Sequence, residues 1–162
     1  MNKVVTFGEI MLRLSPEGYY RFLQANKFDV NYGGSEANVA ISLANYGINS
    51  VFITKIPSNE IGQAAINTLR QYNVDTNSIV RGGERLGIYY MEKGASQRPS
   101  KVIYDRAYSS ISQAKPTDFN WDEIFNDAEW FHFSGITPAL SKQLSQICIT
   151  ACKKAKQHNV TV

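Results

Sequence analysis

The chain has 162 residues, 43% of them hydrophobic and 19% charged, with a formal net charge of +3. This composition predicts a globular protein of one domain with a substantial core. The basic residues are scattered, no apolar run is long enough to cross a membrane, and the N-terminal residues read as a strand. The sequence therefore argues against a nucleic-acid partner, a membrane anchor and a secretory leader.

The cysteines and histidines predict no metal site. Cys148 and Cys152 lie four residues apart in a helical pattern, and neither of the two histidines has ligand spacing to them. We expect free thiols, buried or half-buried, in a cytoplasmic protein. His132 lies inside an apolar run, and we interpret it as a core or sheet-edge residue.

The first predicted elements are a core strand and two strands of a small side sheet. Residues Lys3–Phe7 form an apolar run that ends at Gly8. Glu9 follows at the carboxyl end of this strand, where ligands collect in open α/β sheets. Residues 11–15 and 28–32 alternate in polarity, which is typical of strands, and both precede the first helix.

A glycine pair then introduces the first helix. Gly33 and Gly34 can bring the main chain close to a ligand. Ser35 is predicted to cap a helix of small and apolar residues that ends at Gly47. Ser35, Glu36 and Asn38 would lie at the open end of this helix, which is a good place to hold a polar ligand. A plain glycine turn followed by a capped helix explains the pattern equally well.

Strands and helices alternate along the rest of the chain, which predicts an α/β fold with a largely parallel sheet. The expected elements are a second core strand, a helix capped by Asn59, a later apolar strand, a helix capped by Ser141 and the start of a new strand, at residues 50–56, 59–72, 130–134, 141–158 and 159–162 respectively.

Residues 87–92 and 101–106 are predicted to pair as two further side-sheet strands. Side chains alternate along a strand, so Tyr89 and Tyr90 point to opposite faces while Tyr104 and Arg106 share one. An arginine beside tyrosines suits an anionic ligand that bears hydroxyl groups. Taken alone, the same pattern is more often an ordinary solvated edge strand.

Four segments together resemble the ribokinase-like (PfkB) carbohydrate kinases. Gly33-Gly34-Ser-Glu-Ala-Asn38 and Lys55-Ile-Pro-Ser-Asn-Glu-Ile-Gly62 carry the family pattern. Residues 8–15 and 133–138 are similar to the 2-keto-3-deoxygluconate kinase branch, which has close relatives that act on fructose. The resemblance implies the N-terminal part of one ribokinase-like α/β domain, residues 1–162, with lid strands inserted at about 11–32 and 87–106. Family members are about twice this length.

The resemblance also implies a substrate site. The sugar would lie against Gly34, and the charge of Arg106 would pair with a substrate carboxylate, which fructose lacks. Tyr90 would face away from the sugar and pack. The implied substrate-binding residues are, in chain order, Glu9 (the weakest assignment), Gly34, Ser35, Asn38, Tyr89, Tyr104 and Arg106.

The implied reaction transfers the γ-phosphoryl group of ATP, with Mg²⁺, to a hydroxyl of a sugar acid. In the resembled family the catalytic aspartate and the ATP pocket belong to the C-terminal half. We therefore expect no catalytic, cofactor or metal residue in this chain and place them beyond Val162. The 162-residue chain alone should be inactive, and a homodimer through the lid sheet is expected. A fructokinase and a non-catalytic sugar-binding module are the alternatives.

Overall fold

Three sheets and five α-helices build the fold in the computed structural model, which describes residues 3–162. Short 3₁₀ turns at Phe22–Gln24 and Pro116–Asp118 join some of them. The elements in chain order are β1 Lys3–Phe7, β2 Met11–Pro16, β3 Phe28–Gly33, α1 Ser35–Asn45, β4 Asn49–Ile53, β5 Lys55–Ile56, α2 Glu60–Gln71, β6 Val80–Arg81, β7 Ile88–Glu92, β8 Lys101–Asp105, α3 Trp121–Ile124, β9 Ala128–His132, α4 Ile136–Ala139 and α5 Lys142–Gln157.

The central sheet is parallel and has the order β4-β1-β9. Its two faces bury separate apolar clusters, because successive side chains of a strand point in opposite directions. Phe7 and Phe131 pack with Leu144 of α5 on one face, and Phe52 packs with Ala37 and Leu69 of α1 and α2 on the other. The predicted α/β class is confirmed. None of the helices within residues 3–162 combines the length and apolar character needed to cross a bilayer.

The four strands predicted for the side sheet form one sheet of order β3-β2-β7-β8. β2 runs antiparallel to β3 and parallel to β7, and β7 runs antiparallel to β8. The pairing of β2 with β7 joins segments that are distant in sequence, since Leu12 lies opposite Ile88. The role of this side sheet as a lid stays a prediction.

Two predicted strands have different bounds in the structure. The single core strand predicted at residues 50–56 is two strands: β4 ends at Ile53, and β5 pairs with β6 in a separate sheet. The strand predicted at residues 130–134 runs from Ala128 to His132 instead. Trp130 in this edge strand is 53% exposed, so its apolar character did not indicate burial.

The helix ends follow the predicted capping chemistry at three places. The Asn59 side chain accepts a hydrogen bond from the Gly62 amide, and the Ser141 hydroxyl accepts one from the Leu144 amide. Gly47 ends α1 with a φ of +77°, a left-handed conformation that favours glycine.

The cysteines and His132, which the sequence analysis did not assign as metal ligands, lie in the core or at the edge of the sheet. Cys148 is buried and Cys152 half-buried, both are free thiols as predicted, and burial raises the pKa of Cys148 to about 12. His132 is half-buried on the edge strand β9, which confirms its interpretation as a sheet-edge residue. Within residues 3–162 no group of three or more His, Cys, Asp or Glu side chains is placed to hold a metal ion.

Candidate functional site

All seven residues predicted to bind substrate line one cavity of about 240 Å³. The cavity lies where β1 ends and α1 begins, and the side sheet forms one of its walls. The tertiary fold brings together residues that lie between positions 9 and 106 of the sequence. The lining residues are Glu9, Met11, Gly33, Gly34, Ser35, Glu36, Asn38, Tyr89, Tyr104, Arg106, Ile136 and Leu140.

Gly34 sets the contact between α1 and the end of β1. A Cβ at this position would lie 1.9 Å from the Glu9 carbonyl oxygen, so only glycine allows the two backbones to approach this closely. Gly34 is also the N-cap residue of α1. The prediction that Ser35 caps the helix is therefore wrong: Ser35 is the first helical residue, and no side chain caps this end. Free amides at the N-terminus of α1 border the cavity.

Three side-sheet residues form the wall of the cavity. The rings of Tyr89 and Tyr104 lie on neighbouring strands with their centroids 6.1 Å apart. The Arg106 guanidinium lies 5.5 Å from the centroid of the Tyr104 ring, a cation–π distance. Tyr90 points to the opposite face and its ring lies 6.1 Å from that of Phe28, as predicted.

Glu9, which is buried, and Arg106, which is half-buried, form an ion pair inside the cavity. The Arg106 Nε donates to Glu9 Oε2 at 2.9 Å, and Nη2 donates to the same oxygen. The Glu9 side chain is only 4% exposed, and its other oxygen, Oε1, is buried without a hydrogen-bond partner. Glu9 was the weakest assignment from sequence, yet it holds the residue expected to bind the substrate carboxylate.

The sequence placed Glu36 at the open end of α1 but did not assign it to the substrate site, and its buried carboxylate joins three elements at the cavity. Its Oε1 accepts a hydrogen bond from the Ser134 amide at 3.1 Å. Its Oε2 occupies the space that a side chain at Gly8 would need, since a Cβ there would lie 2.1 Å away. Glu36 thus ties the N-terminus of α1 to the ends of β1 and β9. Its place inside the glycine motif was the available signal.

The helix α4 was not predicted, and it brings Ile136 and Leu140, the residue that follows it, to the cavity. Thr137 is fully buried and its hydroxyl donates to the Phe7 carbonyl oxygen at 3.3 Å, which fixes α4 at the end of β1. A four-residue helix is too short to give a recognisable periodicity.

Comparison with known proteins shows to which protein family this chain belongs. The model of the pfkB family carbohydrate kinases matches residues 1–162. The chain is 38% identical over 144 residues to the 2-dehydro-3-deoxygalactonokinase of Haloferax volcanii, an alignment that covers 89% of this chain and 45% of that protein. The chain therefore belongs to the pfkB family of carbohydrate kinases.

Solved structures confirm the ribokinase-like fold. The 2-dehydro-3-deoxygluconokinase of Thermotoga maritima is 57% identical with a TM-score of 0.98, and the match covers 100% of this chain and 50% of that one. A sugar kinase of Pyrococcus horikoshii, solved in complex with ATP, is 25% identical with a TM-score of 0.82 and matches 94% of this chain and 49% of its own. The chain thus spans about half the length of these relatives.

Proposed function

We propose that the complete protein is a sugar-acid kinase that phosphorylates 2-keto-3-deoxygluconate, also called 2-dehydro-3-deoxygluconate, to its 6-phosphate with ATP. The observation that carries this proposal is a cavity in which a guanidinium and two tyrosines of the side sheet lie beside a glycine-capped helix N-terminus, in a member of the pfkB family. The Thermotoga maritima relative supports the gluconate form and the Haloferax volcanii relative the galactonate form, so the configuration of the sugar acid is the point to test.

In this proposal residues 3–162 bind and enclose the acceptor. Arg106 pairs with the carboxylate, the hydroxyls of Tyr89 and Tyr104 bond the substrate oxygens, and the backbone at Gly34 bounds the sugar. The side sheet acts as a lid that excludes water when it closes. ATP supplies the phosphoryl group. Within residues 3–162 no group of three or more His, Cys, Asp or Glu side chains could hold a metal ion, and we assign Mg²⁺, ATP and the catalytic base to the other half of a complete kinase.

The proposal is tested by ADP release from the gene product read to its natural stop codon. We expect turnover with 2-keto-3-deoxygluconate, weaker turnover with the galactonate epimer, and none with D-fructose or with the 162-residue chain alone. Turnover of D-fructose only would keep the fold and overturn the substrate. Sugar binding without any ADP release would favour a non-catalytic binding module.

We also propose a cytoplasmic homodimer that forms through the outer face of the side sheet. Ile88 and Tyr90 share this face with their cross-strand neighbours Leu12 and Ile103, because they alternate with the cavity-facing tyrosines. Ile103 is 45% exposed, and an apolar sheet face left open to solvent is typical of an interaction surface. The free thiols agree with a reducing compartment.

Light scattering after size-exclusion chromatography tests the dimer. We expect Ile103→Lys to convert the complete protein from dimer to monomer, because the buried charge opposes association. Val102→Lys is the matched control, since Val102 is 42% exposed on the opposite face of the same strand. A monomeric wild type, or a dimer unaffected by Ile103→Lys, would contradict this interface.

A further inference from the structure

A second cavity adjoins the candidate site on the far side of Tyr89. Its volume is about 620 Å³, and Gly33, Asn38 and Tyr89 line both cavities. β2 and β3 of the side sheet form one wall, and α1 and α2 form the other. The two cavities are therefore neighbours, and Tyr89 and Asn38 separate them.

The lining of this second cavity is polar and carries one positive charge. Arg13 of β2 is the charged residue in the lining, which contains no carboxylate. By contrast, two carboxylates and one guanidinium line the candidate site. An anion in the second cavity would meet a cation without a competing acid. The other polar residues of the lining are Asn31, Tyr32, Asn38, Asn45, Thr68, Gln71, Tyr72 and Tyr89.

The guanidinium of Arg13 is uncompensated within residues 3–162. Its Nε is buried and has no hydrogen-bond partner. None of the ion pairs in this described part of the chain involves Arg13, although Arg85, Arg98 and Arg106 of the same region each pair with a carboxylate. Buried donors of native proteins are nearly always bonded, so this Nε is free to bond a water or an acceptor group of a ligand.

The position of Arg13 places it beside the candidate site and not inside it. Arg13 lies opposite Tyr89 in the parallel pairing of β2 with β7, and Tyr89 lies opposite Tyr104 in the next pair. Arg13, Tyr89 and Tyr104 therefore form one row across the same sheet face, with Tyr89 between the other two. A ligand at Arg13 would contact one side of Tyr89 while the acceptor contacts the other.

We propose that this cavity binds the carboxylate or phosphate of a polyhydroxylated small molecule other than the phosphoryl acceptor. The Arg13 guanidinium binds the anionic group in a fork, and the surrounding amide side chains bond the hydroxyls. Because Tyr89 and Asn38 belong to both cavities, the occupant changes the affinity of the acceptor site, and the acceptor changes the affinity for the occupant by the same factor. This inference goes beyond the proposed kinase activity and rests on it only for the identity of the acceptor site, since probe binding is measured without turnover.

Isothermal titration calorimetry on the complete protein tests the proposal with inorganic phosphate, D-gluconate and 6-phosphogluconate as probes. The first two separate phosphate from carboxylate recognition, and the third offers both groups on one polyol. We expect at least one probe to bind the wild type and Arg13→Gln to weaken that binding at least about 10-fold. Arg70→Gln should leave it unchanged, since Arg70 bonds Thr76 and lines neither cavity.

Two further variants separate this site from the substrate site and from effects on folding. Gln71→Glu puts a carboxylate into the cavity at an exposed helix position and should weaken the probe at least about 10-fold in a fully folded protein. Arg106→Gln should leave probe binding within about twofold while it impairs the acceptor. The proposal is overturned if no probe binds the wild type, if Gln71→Glu binds normally, or if Arg13→Gln raises KM for the acceptor as much as Arg106→Gln does.

Discussion

Replacing Arg106 by alanine is expected to lower kcat/KM for the sugar acid about 100-fold and also to destabilise the complete protein. The catalytic loss follows from the charge-assisted hydrogen bonds to the carboxylate, each worth about 1.5–3 kcal/mol. The stability loss, about 3 kcal/mol, follows from Glu9, which is 4% exposed and would keep a buried charge without its partner. The single variant therefore mixes two effects.

The double variant Glu9→Gln/Arg106→Ala separates these effects. The glutamine carries no charge, so most of the lost stability should return, while kcat/KM for the acid should stay low. Thermal denaturation and ADP release measure the two quantities on the same samples. Arg85→Ala is the matched control, because Arg85 pairs with Asp105 on the exposed surface and its loss should cost less than about 1 kcal/mol. Recovery of acid turnover in the double variant would mean that Arg106 acts through the fold and not on the substrate.

The variant Gly34→Ala is expected to lose about 3 kcal/mol of stability and most of its affinity for the acceptor. The added Cβ would lie 1.9 Å from the Glu9 carbonyl oxygen and 3.3 Å from the Ile10 Cα. Both neighbours are backbone atoms, so α1 must move away from the end of β1. The expected loss of stability therefore lies at the upper end of the usual range for overpacking. The movement would also widen the cavity that the acceptor occupies.

The adjacent Gly33 supplies the control for this prediction. A Cβ at Gly33 would meet the Asn38 Oδ1 at 3.5 Å and the Tyr89 hydroxyl at 3.7 Å, which are ordinary contacts. We therefore expect Gly33→Ala to keep a melting temperature close to that of the wild type, whereas Gly34→Ala melts well below it. Equal melting temperatures of the two variants would show that the close approach at Gly34 is not what the structure describes.

The sequence predicted those parts of the candidate site that depend on local rules. Strict alternation along β7 and β8 placed Tyr89, Tyr104 and Arg106 on one face, and the glycine pair before α1 marked a close backbone approach. The caps at Asn59 and Ser141 were also predictable, because each depends on a side chain and an amide three residues away.

The features that the sequence could not predict depend on long-range contacts. The pair between Glu9 and Arg106 joins residues 97 positions apart, and nothing in either segment indicates the other. The contact of Glu36 with the Ser134 amide could not be predicted for the same reason, since the two residues lie 98 positions apart. The segment at 50–56 was predicted as one strand because most of its residues favour strands; Thr54 and Lys55, which interrupt the apolar residues after Ile53, mark the point where the chain leaves the central sheet.

The parallel pairing of β2 with β7 has a consequence for the order in which the molecule folds. The antiparallel pairs β2–β3 and β7–β8 each join neighbouring segments, so each can form early with a small loop-closure entropy. Leu12 can pair with Ile88 only after the intervening chain, which contains α1, β4 and α2, has become compact. The cavity takes residues from both antiparallel pairs, so it exists only after they join. Binding of the acceptor during refolding would therefore report the slow, late step and not the early formation of the individual hairpins.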